Sequence, residues 1–132
     1  MNCEPKFLRC VDCSTLVEAL NEQCCDELSC CGKPMDLLIP NHNAGADGEK
    51  HLPVAWWEDG ALIVKIGRIL HPMSQQHHIE WVCVQNKYET HRIRLKRGED
   101  PILHIPLAPS AAPVTIYTYC NRHGLWKAQV QR

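Results

Sequence analysis

The chain has 132 residues and a mass of 15.1 kDa, room for one ordinary domain or for a small unit ahead of a sandwich of roughly 100 residues. Its 14 basic and 15 acidic side chains leave a net charge of -1, which excludes an overall field able to gather nucleic acid or an anionic membrane. No apolar run approaches the ~20 residues of a membrane span, and the N-terminus lacks the apolar core of a secretory signal, so a cytoplasmic protein is expected.

The first 31 residues hold seven of the nine cysteines. An odd count in a reducing compartment argues against disulfides and for metal ligation. The segment contains Cys10-Val11-Asp12-Cys13, then Cys24-Cys25, then Cys30-Cys31-Gly32-Lys33-Pro34-Met35. A unit shorter than about 40 residues buries too little apolar surface to fold unaided, and a metal would supply the missing stability. Between the cysteine pairs, residues 15–23 fit either a two-turn amphipathic helix, with Leu16, Val17 and Leu20 on one face, or a strand. Residues 41–50, rich in Gly, Asn and Asp, form a linker, so a small unit over 1–37 and a second over 38–132 are expected.

From His51 onward short strands alternate with turn signals. Residues 61–66 are a continuous apolar-rich run after Glu58-Asp59-Gly60, and Ile79, Trp81 and Cys83 alternate with Glu80 and Val82. Residues 88–95, 102–107 and 114–119 follow, and prolines at 101, 106, 109 and 113 exclude a long helix there. Aromatics make up only 6% of the chain, so its core rests on Val, Ile and Leu. The prediction is an all-β protein: a small metal-stabilised N-terminal β domain followed by an immunoglobulin-like antiparallel β-sandwich of six or seven strands.

Two groups of residues carry chemistry. Cys10, Cys13, Cys30 and Cys31 offer four thiolates, a soft tetrahedral set that suits iron or zinc. Cys24 and Cys25 could replace the later pair, but Gly32 favours a turn at Cys30-Cys31, which leaves Cys3, Cys24 and Cys25 as bystanders. The second group is His51, His71, His77, Cys120 and His123. Cys120 and His123, three residues apart, can meet one ion from a single turn, and the remaining members sit at strand edges or in adjoining loops. His42, His91 and His104 are assigned to ordinary surface or hydrogen-bonded roles, and Cys83 to a small buried strand position.

Glu49-Lys50-His51-Leu52-Pro53-Val54, His71-Pro72-Met73 with His77 six residues after His71, Ile79-Glu80-Trp81 and Cys120-Asn121-Arg122-His123-Gly124 closely resemble the motifs of desulfoferrodoxin, the two-iron class of superoxide reductase. The N-terminal cysteines resemble that family's desulforedoxin-like domain. The resemblance implies two irons per chain, one on Cys10, Cys13, Cys30 and Cys31. The other would be held equatorially by His51, His71, His77 and His123 and axially by Cys120, with the position opposite Cys120 open to superoxide. It further implies that His123 ligates through Nδ1 and the other three histidines through Nε2. His78, beside His77, is a rival ligand that the spacing from His71 disfavours. Lys50 is implied to attract superoxide and organise protonating water, and Glu49 to ligate the ferric resting iron once product departs. A rubredoxin-like electron donor and a homodimer are implied as well.

Charge arithmetic separates the two sites without the family. Ferrous iron with one thiolate and four neutral imidazoles keeps one net positive charge, whereas four thiolates leave it anionic and enclosed, so only the histidine site suits superoxide. Arg92, Arg94, Lys96 and Arg97 are assigned to a solvated strand edge, with docking of an acidic donor as the alternative. Two other functions compete: a non-enzymatic zinc-ribbon-like interaction module, and a superoxide dismutase that would need no external electron and would release dioxygen.

Overall fold

The structure, a computed structural model, describes residues 6–20, 28–42, 45, 48–109 and 112–130. The chain divides into two compact units, 1–39 and 40–132.

The first unit contains β1 (Lys6–Arg9), β2 (Leu16–Ala19), β3 (Ser29–Cys30), β4 (Lys33–Pro34) and β5 (Asp36–Leu37). β1 pairs antiparallel with β2 on one side and β5 on the other, and β3 pairs with β4. The helix-or-strand alternative over 15–23 therefore resolves as a strand at 16–19, while residues 21–23 lie outside the described part, as do Cys3, Cys24 and Cys25. The β3–β4 hairpin turns on Cys31 and Gly32, both at positive φ (53° and 74°), the twist that two-residue hairpins favour. Phe7, Leu8 and Cys10 are the buried apolar residues among those described in this unit.

The second unit opens with one helical turn, α1 (Gly48–His51), at the end of the expected linker. β6 (Pro53–Glu58), β7 (Ala61–Ile66), β8 (Ile79–Gln85), β9 (Thr90–Arg94), β10 (Ile102–Ile105), β11 (Val114–Cys120) and β12 (Gly124–Val130) follow. They form two antiparallel sheets, β10-β7-β6 and β12-β11-β8-β9, the three-plus-four immunoglobulin-like arrangement. Between them lie Leu62, Val64 and Ile66 of β7, Ile79, Val82 and Val84 of β8, Ile105, and Val114, Ile116 and Cys120 of β11. At about 1.5–3 kcal/mol for each large aliphatic side chain removed from water, this layer is the principal stabilising feature of the unit.

The alternation expected in β8 is only half right. Ile79 faces this core, but Val82 and Val84, not Trp81 and Cys83, continue it. The cause is a bulge: Tyr119 pairs with Trp81 while its neighbour Cys120 pairs with Ile79, so Glu80 is the extra residue and the strand changes phase there. Cys83 is buried as expected, outside this core layer.

Candidate metal centres

In the first unit the ligand atoms of Cys10, Cys13, Cys30 and Cys31 lie within 4.8 Å of one another. Cys13 Sγ is 3.6 Å from Cys30 Sγ, and Cys30 Sγ is 3.9 Å from Cys31 Sγ. Four sulfurs at about 2.3 Å from a tetrahedral ion stand about 3.8 Å apart, so the spacing fits a metal. The thiols compete for ionisation: hydrogen bonds from Thr15 pull Cys13 down to about 6, while bonding to Cys13 pushes Cys30 up to about 12. Four thiolates together require a cation's charge.

The second group forms at one end of the sandwich for a topological reason. The start of β6 adjoins the end of β7 (Pro53 opposite Ile66), and the start of β8 adjoins the end of β11 (Ile79 opposite Cys120). His51 precedes β6, His71 follows β7, His77 precedes β8, Cys120 ends β11 and His123 sits in the turn to β12. Ligand atoms of His51, His71, His77 and Cys120 lie within 4.8 Å of one another. His123 adjoins them: its Nδ1 is 3.1 Å from His51 Nε2 and 3.7 Å from Cys120 Sγ. Two ring nitrogens at right angles on an ion about 2.1 Å away stand about 3 Å apart, close to the His51–His123 separation.

The other ring atoms fit an ion as well. His71 Nδ1 donates to the Pro72 carbonyl at 2.7 Å, which fixes the tautomer and leaves Nε2 with a lone pair. Nε2 of His71 and Nε2 of His77 are buried without a hydrogen-bond partner. A buried acceptor with no donor is costly, and a metal satisfies both nitrogens. Burial, with lesser repulsion from the neighbouring imidazoles, pulls His71 down to about 4, so it is neutral and able to ligate at neutral pH. Burial also pushes the Cys120 thiol up, while the amides of Arg122 and His123 draw it back; the His123 N–H donates to Sγ at 3.4 Å. His78 is turned away: Nδ1 donates to the Ser74 carbonyl at 2.9 Å, and Nε2 stands 3.9 Å from a Glu80 oxygen.

Glu49 and Lys50 are exposed on α1, immediately before His51. Their backbone is held by a neighbouring segment: Ile69 N–H donates to the Glu49 carbonyl (3.1 Å) and Gly67 N–H to the Leu52 carbonyl (3.2 Å). Gly67 has φ +88°, and a Cβ there would stand 2.6 Å from the Lys50 carbonyl oxygen, so only glycine lets these segments meet.

Sequence reasoning missed Asn121 and Ser74. Asn121 Oδ1 accepts from the His78 N–H (2.9 Å) and its Nδ2 donates to the Gln76 carbonyl (2.9 Å), clamping the His77 loop to the Cys120 turn. Ser74 Oγ brackets His77 from the other side, accepting from its N–H and donating to its carbonyl, both at 3.1 Å. Asn between the two ligand positions of a Cys-x-x-His turn was the available signal.

The desulfoferrodoxin family model matches residues 43–129. A desulfoferrodoxin from Syntrophotalea carbinolica is 38% identical over 121 residues, 92% of this chain and 93% of the relative. A superoxide reductase from Pyrococcus horikoshii is 32% identical over 101 residues, 64% of this chain and 88% of the relative. Among solved structures, the superoxide reductase from Treponema pallidum has a similar fold, with a TM-score of 0.75, 24% identity, and coverage of 97% of this chain and 99% of that one. With His51, His71, His77 and Cys120 gathered at the end of the sandwich and matching relatives along most of its length, the chain belongs to the desulfoferrodoxin family.

Proposed function

We infer that the chain is a superoxide reductase: superoxide takes up one electron and two protons and leaves as hydrogen peroxide, with no dioxygen released. The observation that carries this reading is the convergence of His51, His71, His77 and Cys120, with His123 beside them, in a member of this family. The residues that would hold the catalytic iron are these five, and those for the second iron are Cys10, Cys13, Cys30 and Cys31. Iron at the histidine site, when bound, supplies the electron.

The chain's own residues do the rest. Burial keeps the His71 ring neutral, and neutral imidazoles with a single thiolate leave the site one net positive charge for an anionic substrate. Cys120 is buried at the end of β11 while His123, in the turn beyond it, is exposed, so substrate reaches the site from the His123 side. Lys50, exposed on the turn that carries His51, adds positive charge over a short, salt-screened range and orders the water that delivers protons. Glu49, exposed beside it, covers the site between turnovers. A small rubredoxin-like protein returns the electron, because each cycle consumes one from outside.

We further propose that the protein works as a homodimer in the cytoplasm. Exposed Val11, Leu37 and Ile39 on the small unit support the first, and metal-binding thiols that must stay reduced support the second.

Rapid mixing of pre-reduced protein with superoxide tests the function. One peroxide per superoxide without dioxygen is expected; dioxygen release would establish dismutation instead, and a chain that binds about one zinc and no iron would be the interaction module.

A further inference from the structure

We propose that Thr118 and Trp126 are positioning residues that grip His51, so that one hairpin, β11–β12, sets three of the five ligands. The inference rests on reading His51 as an iron ligand. The two residues are directly opposite each other in the β11–β12 register, and both are buried. Cys120 and His123 belong to the same hairpin. His51 comes from α1, far away in sequence, and needs a separate device.

Two contacts supply it. Thr118 Oγ1 donates to the His51 carbonyl at 3.1 Å. That carbonyl belongs to the last residue of α1, and the bond is buried. The hydroxyl therefore fixes the backbone at the ligand. The Trp126 indole stacks on the His51 imidazole, with centroids 4.7 Å apart and planes 12° from parallel. A ring covered on one face in this way resists rotation about its own axis, and its Nε2 stays 3.1 Å from His123 Nδ1. The same indole reaches the other ligand: Trp126 Nε1 donates to the His123 carbonyl at 3.1 Å. The cross-strand pair thus holds the His51 backbone, the His51 ring and the His123 peptide together.

The test uses the full iron-loaded chain, oxidised, challenged with a chelator while the Cys120-to-iron absorption band is followed; no superoxide is involved. Thr118→Val keeps the shape of the side chain and removes its hydroxyl, whereas Thr118→Ser keeps the hydroxyl and removes a methyl. A positioning role predicts that Val weakens iron retention by about 10–100-fold, the usual effect of losing a group that orients a ligand, and that Ser behaves like the unmutated chain. A packing role predicts the reverse order and would overturn the proposal, as would wild-type retention in Thr118→Val. Trp126→Phe, which keeps a ring over His51 and loses the bond to His123, is expected to lose less than Trp126→Leu, which loses both; equal retention in Leu and wild type would also overturn it. Absence of the band from the unmutated chain would overturn the ligand reading itself, a distinct result from a band that ignores Thr118.

Discussion

Replacing Gly67 with alanine tests the link between backbone geometry and the site most directly. The added Cβ meets the Lys50 carbonyl oxygen at 2.6 Å and the Ile69 carbonyl as well, both backbone atoms that no side-chain rotation can move aside. Two costs add. A non-glycine residue at φ +88° costs about 1–3 kcal/mol, and overpacking costs about another 1–3 kcal/mol, for a total of about 2–6 kcal/mol. With a urea m-value of about 2 kcal/mol per molar, the unfolding midpoint of the metal-free chain should fall by on the order of 1–3 M. Gly60→Ala is the matched control: φ is +78°, but nothing lies within 4 Å of its Cβ, so only the strain remains. Tryptophan fluorescence against urea reads both variants. If Gly67→Ala loses no more than Gly60→Ala, the close approach of Gly67 to Lys50 is not what holds this segment.

Cys120→Ser should abolish the thiolate-to-iron band of the oxidised histidine site and leave the absorption of the four-cysteine site intact; a surviving band would mean that another thiol is the axial ligand. Lys50→Ala should slow superoxide reduction by about tenfold at low salt and flatten its dependence on ionic strength, measured by pulse radiolysis; an unchanged rate and slope would remove Lys50 from steering. The unfolded His71 ring protonates below about 6.5, whereas the buried ring resists until about 4, so between those values the unfolded chain binds more protons. Stability of the metal-free fold should be fullest above pH 6.5 and decline toward pH 4, with a smaller decline in His71→Gln. Urea midpoints at pH 7.5, 6 and 5 decide this, and identical slopes in the two proteins would refute it.

Much of the site was legible because metal chemistry leaves short-range marks. The Cys10-x-x-Cys13 pair, the Cys30-Cys31-Gly32 turn and the Cys120-x-x-His123 turn each place ligands within one local bend, and the resemblance supplied the order of the others. The strand at 61–66 was readable from an apolar run closed by Asp59-Gly60, which form the β6–β7 turn at positive φ. Features that depend on pairing were not readable. The bulge at Glu80 exists only relative to Tyr119 and Cys120, so alternation in β8 alone put Trp81 and Cys83 where Val82 and Val84 belong. The Thr118 hydroxyl on the His51 carbonyl spans 67 positions, and no local pattern marks such a bond. Residues 41–50 had the composition of a linker, yet their end forms a helical turn tied to residues 67–69 by backbone bonds.

The five candidate ligands are divided between the two sheets, His51 and His71 beside the β6–β7 sheet and His77, Cys120 and His123 beside the β8–β11–β12 sheet. An ion bound among them is therefore a clasp across the mouth of the sandwich, while the far end, around Val84, Val114 and Val130, is packed by apolar side chains. Such a clasp strengthens with free metal, by about 2.7 kcal/mol at a concentration 100 times the dissociation constant. Iron scarcity would then do more than idle the enzyme. It would loosen one end of the fold, and amide exchange should quicken first at the ends of β7 and β11 and the start of β8 while the opposite rim stays protected.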